Sequence, residues 1–106
     1  MTRGSNTIKE NHTCITHLAI RLSFPGCSSL KEKRSRLQPI LTRLRREFNT
    51  GIAETGLQDV WQSAWISCVV VSNSTQQNAR VTAEMIKYIE THYPDETIEI
   101  QQIEQR

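Results

Sequence analysis

Between Ser29 and Phe48 apolar residues recur as Leu30, Leu37, Leu41, Leu44 and Phe48, at spacings of seven, four, three and four. Those intervals place them on one stripe of an amphipathic helix. Ser29-Leu30-Lys31-Glu32 opens the run as a capping box. There the Ser29 hydroxyl accepts from the Glu32 amide, and the Glu32 carboxylate reaches back to the Ser29 amide. Such a stripe has to be laid on a second apolar layer. Pro39 interrupts the run and removes the bond to the Ser35 carbonyl, at ~3 kcal/mol if unrelieved. The leucine phase survives across it, so a continuous but kinked helix is expected.

The flanking segments change period. From Cys14 to Ser23, Leu18, Ile20 and Leu22 alternate with His17, Ala19 and Arg21, the pattern of a half-buried strand ended by Phe24-Pro25-Gly26. Asn49 to Thr55 reads as an edge strand around Ile52. A polar turn, Leu57 to Trp61, leads into Ser63 to Asn73. That segment carries Trp65, Val69 and Val71 on one face and Ile66, Cys68 and Val70 on the other, so a central strand is expected. Ser72-Asn73-Ser74 caps a second helix, Thr75 to His92, with Ala79, Thr82, Ile86, Ile89 and Tyr93 along one side and Pro94-Asp95 after it. Thr97 to Ile103 reads as a last strand, Ile98 and Ile100 inward, Glu99 and Gln101 outward. The order strand, helix, strand, strand, helix, strand is the split βαβ arrangement of a ferredoxin-like α/β (α+β) domain. Right-handed crossovers would set both helices on one face of a four-stranded antiparallel sheet. The other face is then open, and its apolar content predicts an interaction surface, for a homodimer packed sheet to sheet or for a partner protein.

A length of 106 residues suits one domain, expected over residues 14–104 behind a flexible polar tail of residues 1–13. No apolar run is long enough to span a bilayer, and the tail has no signal-peptide core. Cys14, Cys27 and Cys68 are widely spaced and form no Cys-x-x-Cys pair. Small buried thiols, a reducing cytoplasmic location and no structural zinc are expected.

Charge is distributed unevenly. Lys31, Lys33, Arg34, Arg36, Arg43, Arg45 and Arg46 fall in one window with Glu32 as its only acid, giving +6 there. The other six bases meet ten acids, so a net charge of +2 hides −4 in the remainder. Such polarity points to a polyanionic partner.

Five segments in register resemble the YlxP-like family of small bacterial proteins. They are Ser29-Leu30-Lys31-Glu32-Lys33-Arg34, Arg43 to Asn49, Ala53-Glu54, Gln58-Asp59-Val60-Trp61-Gln62, and Val69-Val70-Val71-Ser72-Asn73. The resemblance runs from Thr16 to about His92. It implies a ferredoxin-like fold and a genomic setting beside initiation factor 2 and ribosome-binding factor A, hence a link to ribosome maturation. It supplies no catalytic residues.

The residues suit phosphate contact better than base reading. All seven bases of the window are candidate polyanion contacts, with Arg36, Arg43 and Arg46 expected as an outward trio opposite the leucine stripe. The first strand offers His17 and Arg21 where an RNA-recognition motif wants stacking rings, and no Gly-x-x-Gly clamp occurs. His12, His17 and His92 lack metal spacing, Glu54 and Asp59 read as solvated acids, and no phosphate-binding glycine loop is present. No enzyme activity, cofactor, membrane contact or small-molecule substrate is therefore expected. The expected partner is ribosomal RNA or a ribosomal subunit precursor, bound as an assembly or maturation accessory. The rival expectation is a protein-interaction module that docks a translation or assembly factor through the open sheet face, with Trp65, Trp61 and Asp59 at the contact.

Overall fold

A computed structural model describes residues 12–106, except for the side chain of Ile100. Most of the expected tail, residues 1–11, lies outside the described residues. The elements run β1 (Cys14–Ser23), α1 (Leu30–Phe48), β2 (Gly51–Gly56), β3 (Ser63–Ser72), α2 (Thr75–His92) and β4 (Thr97–Gln105). The strands form one sheet in the order β2-β3-β1-β4, every pairing antiparallel. This is the expected ferredoxin-like arrangement, with β2 at an edge and β3 inside.

Local chemistry accounts for the joints. Cys27 N–H donates to Phe24 O across Pro25 and Gly26, and Gly26 holds φ 74°. Proline followed by a left-handed glycine is the type II turn sequence. The Ser29 hydroxyl accepts from Glu32 N–H at 3.0 Å, as the capping box requires. The return bond lands one residue earlier than expected: the Glu32 carboxylate accepts from the Ser28 hydroxyl and amide at 3.1 and 3.4 Å. At the other end of α1, Asn49 takes the left-handed conformation and donates to Arg45 O, a cap that asparagine tolerates.

α1 passes through Pro39 unbroken. Ser35 and Pro39 are both exposed, so water can take the carbonyl bond that proline cannot supply. Its buried residues are Lys33, Leu37, Ile40, Leu41 and Leu44. Adding Lys33 and Ile40 to the leucines turns the core-facing sector by roughly 30° at a period of 3.6 residues. α2 shows a similar offset: Asn78, Thr82, Met85 and Ile89 are buried, while Ala79 is exposed. Asn78 is satisfied by Cys14 O and the Ser72 hydroxyl.

Both helices lie on the sheet face that carries Leu18, Ile20, Leu22, Ala64, Ile66, Cys68 and Val70, which form one core with Leu37, Ile40, Leu44, Met85 and Ile89. Burial pushes the Cys68 thiol up to about 12, by desolvation of its charged form. On β4 the register against β1 slips between the partners of Arg21 and Leu22. Ile98 pairs with Leu22 and packs on the core, whereas Ile100 pairs with Arg21. The bulge breaks the simple alternation assumed for this strand. Among the described residues no helix is long and apolar enough to cross a membrane.

Candidate functional site

The seven bases of α1 have three different fates. Lys33 is 1 % exposed, and its ammonium donates to Leu57 O, Val60 O and Ser63 O at 2.8, 2.7 and 3.0 Å. Glu54 Oε2 lies 2.8 Å from the same nitrogen. An ammonium has three N–H bonds, all spent on the carbonyls, so the carboxylate balances its charge rather than receiving a hydrogen. Lys33 therefore has no reach to an external anion, against its expected role as a polyanion contact. The cause is the path of the chain from the β2–β3 loop into the first residue of β3, whose carbonyls converge on that one point of the helix.

Arg36 and Arg43 form the second group, and both depart from the expected outward trio. Arg36 donates to Glu96 Oε1 through Nη2 and Nε at 2.7 and 3.0 Å, touches Glu32, and lies 5.3 Å from the centroid of the Phe24 ring. The Glu96 bond is the main cause that holds the guanidinium charged, above its ordinary value. Arg43 sits 5.8 Å from the Tyr88 ring centroid. Its charged form is favoured first by the Tyr93 hydroxyl. The turn of the buried sector toward Lys33 and Ile40 swings positions 36 and 43 against α2 and the residues that follow it.

Lys31, Arg34, Arg45 and Arg46 make up the third group, and all four are exposed. Arg45 reaches Ile52 O at 3.1 Å; Lys31, Arg34 and Arg46 have no carboxylate partner among the described residues. Arg34 and Arg45 are about 17 Å apart along the axis at 1.5 Å per residue. The solvent face of α1 is thus a cationic strip with a base-rich pair at each end. Arg45 and Arg46 also lie in the last turn, where the helix dipole favours positive charge.

The second expected contact region is also partly rearranged. Trp61 is 50 % exposed, flanked by exposed Val60 and Leu57. Its ring stands clear of the core. Asp59 is exposed in the same turn. Leu57 has φ 58°, a conformation leucine rarely adopts, and its carbonyl accepts both from Val60 N–H and from Lys33. Trp65 is half-buried on the open sheet face, where Gly56 comes so close that an added Cβ would meet the Trp65 Cβ at 3.2 Å. That face also carries exposed Ile15, Val69 and Val71.

One polar group on this face escaped sequence reasoning. His17 Nε2 is 3.0 Å from Ser67 Oγ, which also contacts Thr55 Oγ1 at 2.9 Å. The pairing of His17 with Val69 and of Ala19 with Ser67 puts them on neighbouring rungs of β1 and β3. The hydroxyl is shared and the face is a flat sheet rather than a cleft, so the contact reads as a side-chain ladder across strands. Among the described residues no cluster of three or more His, Cys, Asp and Glu side chains could hold a metal ion.

Residues 15–102 match the model of the family described as "Protein of unknown function (DUF503)". The chain is similar to "Uncharacterized protein YlxP" of Bacillus subtilis (strain 168), with 40% identity over 63 residues, 59% of this chain and 68% of that protein. Among solved structures it resembles the "De novo designed protein Foldit4" at a TM-score of 0.51 and 10% identity, covering 89% of this chain and 96% of that one. At that identity the likeness concerns the fold alone.

Proposed function

The chain belongs to the DUF503 family of proteins of unknown function, and from that premise we propose that α1 binds ribosomal RNA or a ribosomal subunit precursor, as a small assembly or maturation accessory. The observation that carries this reading is the strip Lys31, Arg34, Arg45 and Arg46, exposed on one rigid helix with no carboxylate paired to it among the described residues. The ribosomal target rests on the genomic setting implied by the family resemblance. Cations fixed on a helix displace condensed counterions from a phosphate backbone and read no sequence. Four such contacts give a salt slope near −3, so affinity falls roughly 50- to 150-fold between 50 and 200 mM salt. Co-sedimentation with a ribosomal subunit precursor at those two salt concentrations tests it. Changing all four bases to Glu abolishes binding on this reading; retention by the fourfold variant sinks it.

A second reading has its own observation, the Leu57–Trp61 loop. It holds three exposed apolar side chains in a turn already ordered by Lys33, and pre-ordering lowers the cost of docking a protein. Such a module would engage a translation or assembly factor through this loop and the open sheet face. Its complex would survive the fourfold charge change and fail with Trp61→Ala.

A further inference from the structure

Where α1 ends beside α2, aromatic rings and positive charge meet at the surface. Tyr88 and His92 stack with ring centroids 4.0 Å apart and planes at 21°. Phe48 braces Tyr88 from α1, edge to face at 5.5 Å. His92 Nδ1 lies 3.1 Å from Tyr88 O. A carbonyl only accepts, so Nδ1 carries the proton in this contact and the ring is oriented by its own helix. His92 is exposed, and among the described residues its outer face has no ring partner.

These two residues, with Glu84, Lys87 and Thr91, line a shallow depression of about 290 Å³. That lies at the lower end of ligand sites, the size for one flat ring system rather than a cofactor. Half-buried Arg43 of α1 lies over the Tyr88 ring, 5.8 Å from its centroid. Lys87 supplies a further cation on the rim, beside the acid Glu84, while Glu47 of α1 acts on Arg43.

We propose that the Tyr88–His92 stack is a platform for one unpaired nucleobase, whose flanking phosphates lie on Arg43 and Lys87. The inference rests on the polyanion reading of α1 and adds to it the class of RNA, a strand with a splayed-out base rather than a regular duplex. An aromatic pair with one open face and cations at its edge is the arrangement that single-strand binders use, because every base has a π-face. A uniform cationic strip gives no reason for the exposed His92 ring stacked on half-buried Tyr88 beside it. Continuing the stack with a base does.

The test measures anisotropy of a labelled 12-nucleotide single-stranded RNA and of the matching blunt duplex, each with the full chain. His92→Ala is expected to weaken the single strand roughly five- to a hundredfold and the duplex little. His92→Phe, which keeps a ring there, restores binding, and neither change alters the salt slope. If His92→Ala binds the single strand as the wild type does while the fourfold charge variant fails, the platform is wrong and the polyanion reading stands. If the wild type binds neither RNA, both fall. Loss with His92→Phe as well as His92→Ala, at unchanged urea midpoints, also overturns stacking.

Discussion

The Lys33 ammonium and the Glu54 carboxylate face each other at 2.8 Å, joining the first turn of α1 to the edge strand β2. Three carbonyls, those of Leu57 and Val60 in the loop and of Ser63 at the start of β3, complete the ring around the nitrogen. Removing one partner of a buried pair leaves the other charge desolvated, and here three carbonyls also lose their donor.

Lys33→Met is therefore expected to cost about 3–5 kcal/mol in urea unfolding. Lys31→Met and Arg34→Met, on the exposed face nearby, should stay within about 0.5 kcal/mol of the wild type. Lys33→Arg is not a rescue, because a planar fork does not match three carbonyls converging on a point. Equal midpoints for Lys33→Met and Arg34→Met would contradict the clamp.

Pro39 offers a gain. It is exposed within an unbroken helix, so alanine there restores a backbone donor without touching the core. Pro39→Ala should raise stability by about 1–3 kcal/mol, read as a shift of the urea midpoint at constant slope. A lower midpoint would mean that the proline is held by contacts not seen in this fold.

Acid should loosen the start of α1. The Ser28 amide and hydroxyl, then Arg36, hold the Glu32 carboxyl below its ordinary value of 4.5. A depressed value means that the folded form prefers the ionised group. Its contribution is complete above 4.5 and disappears as pH falls through the lower folded value. Urea midpoints taken from about pH 6 down to about pH 3 should thus drop less steeply in Glu32→Gln than in the wild type. Parallel curves would count against this carboxylate.

The order of elements, the serine caps and the edge position of β2 were legible because each rests on local pattern. Lys33 was not. A lysine among bases reads as solvated, and only the path of residues 57–63, more than twenty positions on, turns carbonyls toward it. Ile40, beside Pro39, falls outside the leucine spacing, and without it the core sector tilts toward the leucines alone. Arg36 looked outward because Glu96 is sixty residues away and nothing local announces it. The aromatic stack was visible only as an i, i+4 pair, Tyr88 and His92. That spacing gives contact along a helix but does not reveal the α1 cations brought alongside it.

The backbone of Leu57 would relax from its left-handed conformation if it were free to, and its carbonyl is one of the three that Lys33 holds. The loop that displays Trp61 is thereby tied to the first turn of α1. The Val60 amide, bonded to that same carbonyl, is expected to exchange with solvent only as the helix lifts its lysine away, so that loop and helix open as one cooperative unit.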